Sequence, residues 1–181
     1  MTQADLIQGC QRQNRQCQRL LYDKYVDLAI GVSLRYARDK QEAWDIVHDA
    51  FLQVFKYIDN FTAARGAFEP WFCKIVVNSA LKKYQKNRLV FPEATEFHLL
   101  DDVVSPTVLS DLQAEDLLRL LERLPDGYRL VFNLYVVEGY RHGEIADLLG
   151  ISASSVRSQL TRAKQRLQQL IAQQNSLEYG Q

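Results

Sequence analysis

Residues 139–171 constrain the fold of this chain most, because they have the features of two helices joined by a tight turn. Gly150 can take positive φ without strain and so end the first helix. Ser152 can cap the second helix by accepting a hydrogen bond from an N–H group in its first turn. Ala146 is small enough for close helix packing, and Val156 faces back into the core. The stretch predicts a helix-turn-helix, a motif whose second helix lies in the DNA major groove.

The second helix of this hairpin is predicted to be amphipathic and basic. Its apolar residues recur at spacings of four and three: Val156, Leu160, Ala163, Leu167 and Leu170. Residues 148–177 contain no Asp or Glu, but they include four cations: Arg157, Arg162, Lys164 and Arg166. A helical hairpin without a DNA partner would show the same apolar spacing. Turn residues, core spacing and charge sign together favour DNA binding, because phosphates attract a cationic helix.

The charge of the whole chain differs from that of a protein that binds duplex DNA tightly by itself. The formal net charge is zero. Residues 1–88 carry 14 Lys and Arg against 9 Asp and Glu, whereas residues 89–112 carry five acidic residues and no basic one. Since phosphate neutralisation drives non-specific binding, we expect the free chain to bind duplex DNA weakly. The charge pattern therefore indicates a DNA reader that works within a larger complex.

Composition excludes several classes of protein. With 181 residues, of which 47% are hydrophobic and 24% charged, the chain is typical of a globular protein with one or two cores. No apolar run approaches the roughly 18 residues that span a bilayer, and the N-terminus lacks an apolar signal core, so we expect a cytoplasmic location. Cys10, Cys17 and Cys73 lack paired spacing, so we expect no zinc site, disulfide framework or cofactor.

Apolar residues recur at helical spacing over residues 17–36, which predicts the first long helix. Asp39 can cap a second helix, with Glu42 as its capping-box partner. One apolar stripe of this second helix consists of Trp44, Val47, Phe51 and Val54. Another face carries polar residues four apart: Asp45, Asp49 and Gln53. Periodicity alone is compatible with either a solvated surface or a binding face there.

A third helix, predicted over residues 68–88, has two different faces. The face that suits burial consists of Trp71, Ile75 and Ser79. Another face and the basic end of the helix consist of Lys74, Asn78, Lys82, Lys83, Gln85, Lys86 and Arg88. Aromatic residues and an Asn beside cations suit single-stranded or melted nucleic acid. An ordinary amphipathic helix with its Lys residues in solvent explains the spacing equally well.

Residues 89–111 interrupt the helical pattern with Pro92, Pro106, acidic residues and weak periodicity. They predict a flexible acidic linker between a helical domain at residues 1–88 and a second at residues 112–175. No segment alternates with the period of a β-strand. The predicted fold class is therefore all-α, with two small helical domains.

Three segments in this order resemble those of bacterial RNA polymerase sigma factors of the extracytoplasmic function group, within the sigma-70 family. They are DIVHDAFLQVF (45–55), PWFCKIVVNSALKKYQK (70–86) and LPDGYRLVFNLYVVEGYRHGEIADLLGIS (124–152). The resemblance extends over about residues 20–170. It implies a sigma region 2-like helical bundle followed by a sigma region 4-like helix-turn-helix. The implied function is transcription initiation, with core polymerase directed to promoters that have −10 and −35 elements.

The resemblance implies three binding surfaces. Residues implied to contact the clamp helices of core polymerase are Asp45, His48, Asp49, Leu52 and Gln53. Residues implied to recognise and open the −10 element are Phe61, Lys74, Asn78, Lys82, Lys83 and Lys86, with Phe61 and its loop holding a flipped-out base. Residues implied to bind the −35 element are Ser154, Ser155, Arg157, Ser158, Thr161 and Arg162. The two serines at 154 and 155 are expected near phosphates, at the helix N-terminus.

The partners implied by the resemblance are core RNA polymerase, promoter DNA and an anti-sigma factor, which in this family is often anchored in the membrane. No small-molecule substrate is implied. The acidic linker is implied to thread through the polymerase toward the RNA exit path. Arg141 departs from the family pattern, because many relatives have a small hydroxyl residue there that can cap the next helix. Thr161 lies at a variable position, so the family pattern does not predict the promoter sequence.

The alternative is a stand-alone helix-turn-helix regulator that binds duplex DNA without polymerase. It explains the second domain, but it gives no role to the face that contains Asp45 and Asp49 or to the helix that contains Asn78. An enzyme is not expected, because the chain has no Walker loop and no GxGxxG, HExxH or GxSxG motif.

Overall fold

The computed structural model describes residues 2–90 and 114–178, and within these ranges every regular element is helical. The predicted all-α fold class is therefore confirmed. The chain divides into two compact units, Met1–Phe91 and Pro92–Gln181. Apart from residues 89 and 90, the predicted linker at 89–111 lies outside the described residues. None of the described helices combines the length and the hydropathy that crossing a membrane requires.

The first unit contains four helices: α1 (Gln3–Gln11), α2 (Arg15–Leu34), α3 (Lys40–Tyr57) and α4 (Phe68–Val90). Two short 3-10 turns, Ile58–Asn60 and Ala63–Arg65, lie in the loop between α3 and α4. An aromatic cluster joins α2, α3 and α4, with ring centroids between 5.1 and 6.0 Å apart. Its members are Tyr25, Phe51, Phe68 and Phe72.

Polar side chains at the N-termini determine where the first helices begin. The Thr2 hydroxyl accepts the Asp5 N–H at 3.2 Å and the Asp5 carboxylate accepts the Thr2 N–H at 2.8 Å, which is a capping box. Helix α1 was not predicted from the sequence, although Thr2 and Asp5 have the spacing of a capping box. The Asn14 side chain accepts the N–H groups of Gln16 and Cys17, so α2 begins at Arg15, before the predicted start at residue 17.

The buried faces of α3 and α4 agree with the predicted ones in part. The predicted residues that are buried are Val47, Phe51 and Val54 on α3 and Ser79 on α4. On α4, Phe72 and Val76 are fully buried, whereas Trp71 and Ile75 are only half-buried. On α3, Trp44 is 43% exposed, although it was predicted to belong to the apolar stripe. Neighbouring residues in a helix are about 100° apart. Where apolar residues are adjacent, the helices that cover them decide which one is buried.

The second unit contains α5 (Ala114–Glu122), α6 (Asp126–Phe132), α7 (His142–Leu149) and α8 (Ala153–Glu178). A π-helical turn, Asn133–Val137, continues α6, and there the Glu138 N–H donates to the Asn133 carbonyl at 3.0 Å. The apolar residues predicted to bury α8 are all buried, which confirms that stripe: Val156, Leu160, Ala163, Leu167 and Leu170.

The turn between α7 and α8 has the predicted local chemistry. Gly150 lies in the left-handed region, with φ +64° and ψ 38°, and ends α7. The Ser152 hydroxyl accepts the Ser155 N–H at 3.1 Å, so Ser152 caps α8 as predicted. At the start of α7 the Arg141 side chain makes no cap, but the Glu144 carboxylate accepts the Arg141 N–H at 2.7 Å. Glu144 therefore supplies half of a capping box at the position where the sequence departs from the family pattern.

Replacing Gly150 by Ala is expected to destabilise the second unit by about 1 kcal/mol, because L-residues are strained at this φ. Apart from Gly150 and its two neighbours in the chain, no residue lies within 4 Å of the added Cβ, so backbone strain is the dominant effect. Urea unfolding followed by circular dichroism measures the change. Gly143→Ala is the matched control, since Gly143 lies inside α7 with open space around it, and Ala should stabilise a helix there. Equal effects of the two substitutions would contradict the assignment of strain to Gly150.

Candidate functional site

The N-terminal half of α8 presents the residues predicted to read DNA. Ser154 and Arg157 are exposed, and the other four members of the predicted set are half-buried: Ser155, Ser158, Thr161 and Arg162. The Ser152 hydroxyl lies 2.8 Å from those of Ser154 and Ser155, so the first turn carries three linked hydroxyls. The Thr161 hydroxyl donates to the Arg157 carbonyl at 3.0 Å, inside the helix. Of the two arginines in the predicted set, Arg157 is exposed and Arg162 is half-buried.

Lys164, another cation of α8, is half-buried. The Lys164 ammonium lies 5.7 Å from the centroid of the Tyr135 ring, and that ring stacks on His142 at 4.7 Å with an interplanar angle of 14°. Lys164 therefore contacts the π-helical turn of its own unit. This contact joins the π-helical turn, α7 and α8.

In the first unit, exposed polar residues form a stripe along α4. They recur every four residues, and we name them the α4 stripe: Lys74, Asn78, Lys82 and Lys86. Residues four apart lie on one side of a helix, so the stripe can follow one strand of a nucleic acid. Phosphates would be bound by the Lys residues, while the Asn78 amide can both donate to and accept from a base.

Lys83, which was also predicted to contact DNA, differs from these residues. It is half-buried, and its ammonium donates to the Asp45 carboxylate at 2.7 Å. This hydrogen bond, together with the positive charge of Lys83, lowers the pKa of Asp45. The structure thus joins a residue predicted to bind polymerase, on α3, to one predicted to bind DNA, on α4.

The outer surface of α3 combines carboxylates with apolar side chains. Of the residues predicted to bind polymerase, Asp45, His48, Asp49 and Leu52 are exposed and Gln53 is half-buried. The Leu52 side chain is 66% exposed. Trp44 lies beside this surface, with its ring centroid 6.1 Å from that of His48. We name these six residues the α3 face. Trp44 and Leu52 are two of the exposed large apolar side chains of the first unit, and here they lie on one helix with acidic groups.

The loop of residues 58–67, which we name the α3–α4 loop, contains Phe61, one of the residues predicted to contact the −10 element. Phe61 is only 9% exposed, and its ring packs against Phe68 and Trp71 at centroid distances of 5.3 and 5.4 Å. Its ring therefore anchors the loop in the core of the first unit. The exposed side chains of the loop include Thr62 and Arg65, which sequence reasoning did not select.

Each of the two units matches a family model of a sigma-70 region. Residues 21–90 match the family model of sigma-70 region 2, and residues 114–167 match that of sigma-70, region 4. The RNA polymerase sigma-H factor of Pseudomonas aeruginosa is 29% identical over 177 residues, covering 88% of this chain and 89% of that protein. The ECF RNA polymerase sigma-E factor of Escherichia coli is 26% identical over 182 residues, covering 91% and 92%.

A solved structure shares the fold. It is that of the sigma factor RpoE in complex with the anti-sigma factor NepR from Bartonella quintana, with a TM-score of 0.50 and 18% identity over 85% of this chain and 96% of that chain.

A stand-alone helix-turn-helix regulator would account for the region 4 match but not for the region 2 match, which includes both the α3 face and the α4 stripe. The two relatives named above match almost the whole chain, and both are sigma factors. The chain therefore belongs to the sigma-70 family, as an extracytoplasmic function sigma factor that binds RNA polymerase and initiates transcription.

Proposed function

We propose that this protein selects promoters by dividing the task between its two units, with α8 reading the −35 element and α4 with the α3–α4 loop reading and opening the −10 element. The observation that carries the proposal is the presence of an exposed polar surface on each unit, within the region 2 and region 4 matches. For the domains we propose bounds of 1–88 and 112–175, with residues 89–111 as the linker between them. The polymerase performs the chemistry, and this protein contributes no catalytic step.

At the −35 element, we assign base contacts to Arg157, Ser158, Thr161 and Arg162. Arg is suited to this role because its planar guanidinium donates two hydrogen bonds to the O6 and N7 acceptors of guanine. Ser154 and Ser155 lie in the first turn of α8, where N–H groups and hydroxyls favour a phosphate. These contacts would position the helix, while the base contacts would specify the sequence.

At the −10 element, we assign the phosphates to the Lys residues of the α4 stripe and a base contact to Asn78. We add Thr62 and Arg65, because both are exposed on the α3–α4 loop. Phe61 is given the role of supporting that loop. Strand opening fits this arrangement, since proteins bind single strands with cations that follow the phosphate backbone.

The α3 face is proposed to dock on the clamp helices of core polymerase. Leu52 and Trp44 would supply apolar area, and Asp45 and Asp49 would pair with cations of the partner. Once both units are bound to one polymerase, the two promoter contacts act together through a high effective concentration. This explains how a chain with a net charge of zero can bind a promoter specifically. Its place of action would be the cytoplasm, with the polymerase.

We also propose an anti-sigma factor as a partner. The support is the RpoE structure, which contains one. Exposed apolar residues of each unit offer surfaces for it: Trp44 and Leu52 in the first unit, Val136 and Val137 in the second. A protein of this class should compete with core polymerase for the α3 face. Failure of every candidate inhibitor to displace core polymerase in a competition assay would count against this part of the proposal.

Transcription from a promoter library by purified core polymerase, with and without this protein, tests the proposed function. Start sites that occur only with the protein are the expected result, and their upstream sequences reveal both elements. If the same start sites occur without the protein, or if none is gained, promoter selection is excluded.

Replacing Arg157 by Ala is expected to reduce discrimination at one −35 position by about 1–3 kcal/mol, the usual value of a bidentate contact to a base. The same library, transcribed with variant and wild-type protein, gives the preference at every position. Arg166→Ala is the control, because Arg166 is exposed further along α8 and hydrogen-bonds Gln169 at 3.2 Å. An Arg157 variant with the wild-type preference at all −35 positions would contradict the assignment.

A further inference from the structure

Helix α1 lies before the part of the chain that matches region 2, which begins at residue 21. It is nevertheless a well-packed part of the first unit. Leu6, Ile7 and Cys10 are buried. At Gly9 the contact with α2 is so close that an added Cβ would lie 2.2 Å from the Cys17 sulfur. The position of α1 on α2 is therefore fixed by packing.

The C-terminal end of α1 holds the beginning of the α3–α4 loop. The Gln11 side-chain amide donates to the Ile58 carbonyl at 3.1 Å and to the Phe61 carbonyl at 3.4 Å. Ile58 is the first residue of the turn that begins the loop, Ile58–Asn60, and Phe61 directly follows that turn. Gln11 is half-buried, so these hydrogen bonds are partly shielded from water.

The N-terminal end of α1 holds the residues that follow the loop. The Gln3 side-chain amide donates to the Glu69 carboxylate at 3.0 Å and also contacts the Tyr25 hydroxyl. The Tyr25 hydroxyl donates to the same Glu69 oxygen at 2.8 Å. Glu69 is in the first turn of α4, directly after the loop. A hydrogen bond from the Glu69 backbone lowers the pKa of the Glu69 carboxyl most, and the hydrogen bonds from Tyr25 and Gln3 lower it further.

We propose that α1 positions the α3–α4 loop for the −10 element, with Gln11 as the principal positioning residue. Gln3 and Gln11 are eight residues apart, which is about 12 Å along a helix. One rigid element therefore holds both ends of a loop whose exposed residues include Thr62 and Arg65. Fixing these ends reduces the conformational freedom that the loop would lose on binding bases, and this increases both affinity and discrimination. The inference rests on the proposed role of the loop in reading the −10 element.

Gln11→Met tests the inference, because Met has similar length but no N–H donor. Gln11→Lys retains a donor that can reach the two carbonyls. Gln8→Met is the matched control, since Gln8 is exposed on the same helix. With polymerase holoenzyme and the promoter library, Gln11→Met should lower base discrimination in the −10 element roughly three- to tenfold, which corresponds to one or two lost hydrogen bonds. Preference in the −35 element and affinity for core polymerase should not change, and Gln11→Lys should restore most of the loss.

A second measurement uses the free protein. The Arg65 and Gly66 N–H groups donate to the Thr62 and Ala63 carbonyls at 2.9 and 3.2 Å, so hydrogen exchange at these amides reports the order of the loop. Exchange should be several-fold faster in Gln11→Met than in Gln8→Met.

Unchanged exchange together with unchanged −10 preference would overturn the inference. So would equal losses at the −10 element, the −35 element and polymerase binding, because these would indicate general destabilisation. If the wild-type protein shows no −10 preference, the proposed function fails instead, and the exchange measurement still decides whether α1 orders the loop.

Discussion

Replacing Leu52 by Glu is expected to weaken the binding of core RNA polymerase by about 100-fold, or roughly 2.7 kcal/mol. Leu52 is 66% exposed in the free protein, on the helix face proposed to dock on the clamp. Burying a Leu side chain in an interface contributes about 1.5–3 kcal/mol. Glu would remove that contribution and would also place a further carboxylate beside Asp45 and Asp49, at the cost of desolvating it.

Titration of labelled core polymerase measures this effect. Leu52→Ala should give a smaller loss, since it removes apolar area without adding charge. Gln8→Glu is the control for charge, because it adds the same group at an exposed position of α1. Affinity equal to wild type in Leu52→Glu would exclude the α3 face as the docking surface.

Replacing Phe72 by Ala is expected to destabilise the first unit by about 3–5 kcal/mol. Phe72 is fully buried, and its ring lies within 5.3–6.0 Å of those of Tyr25, Phe51 and Phe68. The substitution removes a large apolar group and leaves a cavity where α2, α3 and α4 meet. Because domains are stable by only about 5–15 kcal/mol, the loss would be a large fraction of the total.

Tryptophan fluorescence during urea unfolding measures this loss selectively. The two tryptophans of the chain, Trp44 and Trp71, both lie in the first unit, so their signal follows that unit alone. Leu52→Ala is the control, with an expected change below about 0.5 kcal/mol because Leu52 is exposed. A loss below about 1 kcal/mol in Phe72→Ala would mean that the aromatic cluster is not the core of this unit.

The helix-turn-helix was predictable because its determinants are local. Gly150 needs positive φ, Ser152 caps the helix that begins directly after it, and the apolar residues of α8 recur at a fixed spacing. Each of these preferences acts within a few residues and holds wherever the segment is placed. The exposed polar stripe of α4 was predictable for the same reason, since residues four apart share a side of any helix.

The sequence did not allow a prediction of which aromatic residues are buried. Trp44 was predicted to belong to the apolar stripe of α3 and is exposed, whereas Phe61, which the resemblance implied to contact the −10 element, is buried. Both are large and apolar, and their sequence context is compatible with either position. Burial was decided by which other elements cover each ring, here Phe68 and Trp71 on α4 in the case of Phe61.

The sequence by itself determined the all-α class, the recognition helix with its turn, and the polar faces of α3 and α4, because these follow from short-range periodicity and turn chemistry. Only the tertiary structure decided which surfaces cooperate. A hydrogen bond joins Lys83 to Asp45, which are 38 positions apart in the sequence. Another joins Gln11 to Ile58, which are 47 positions apart. No periodic pattern connects positions so far apart, since such pairs form only when separate helices pack and bring their side chains within hydrogen-bonding distance.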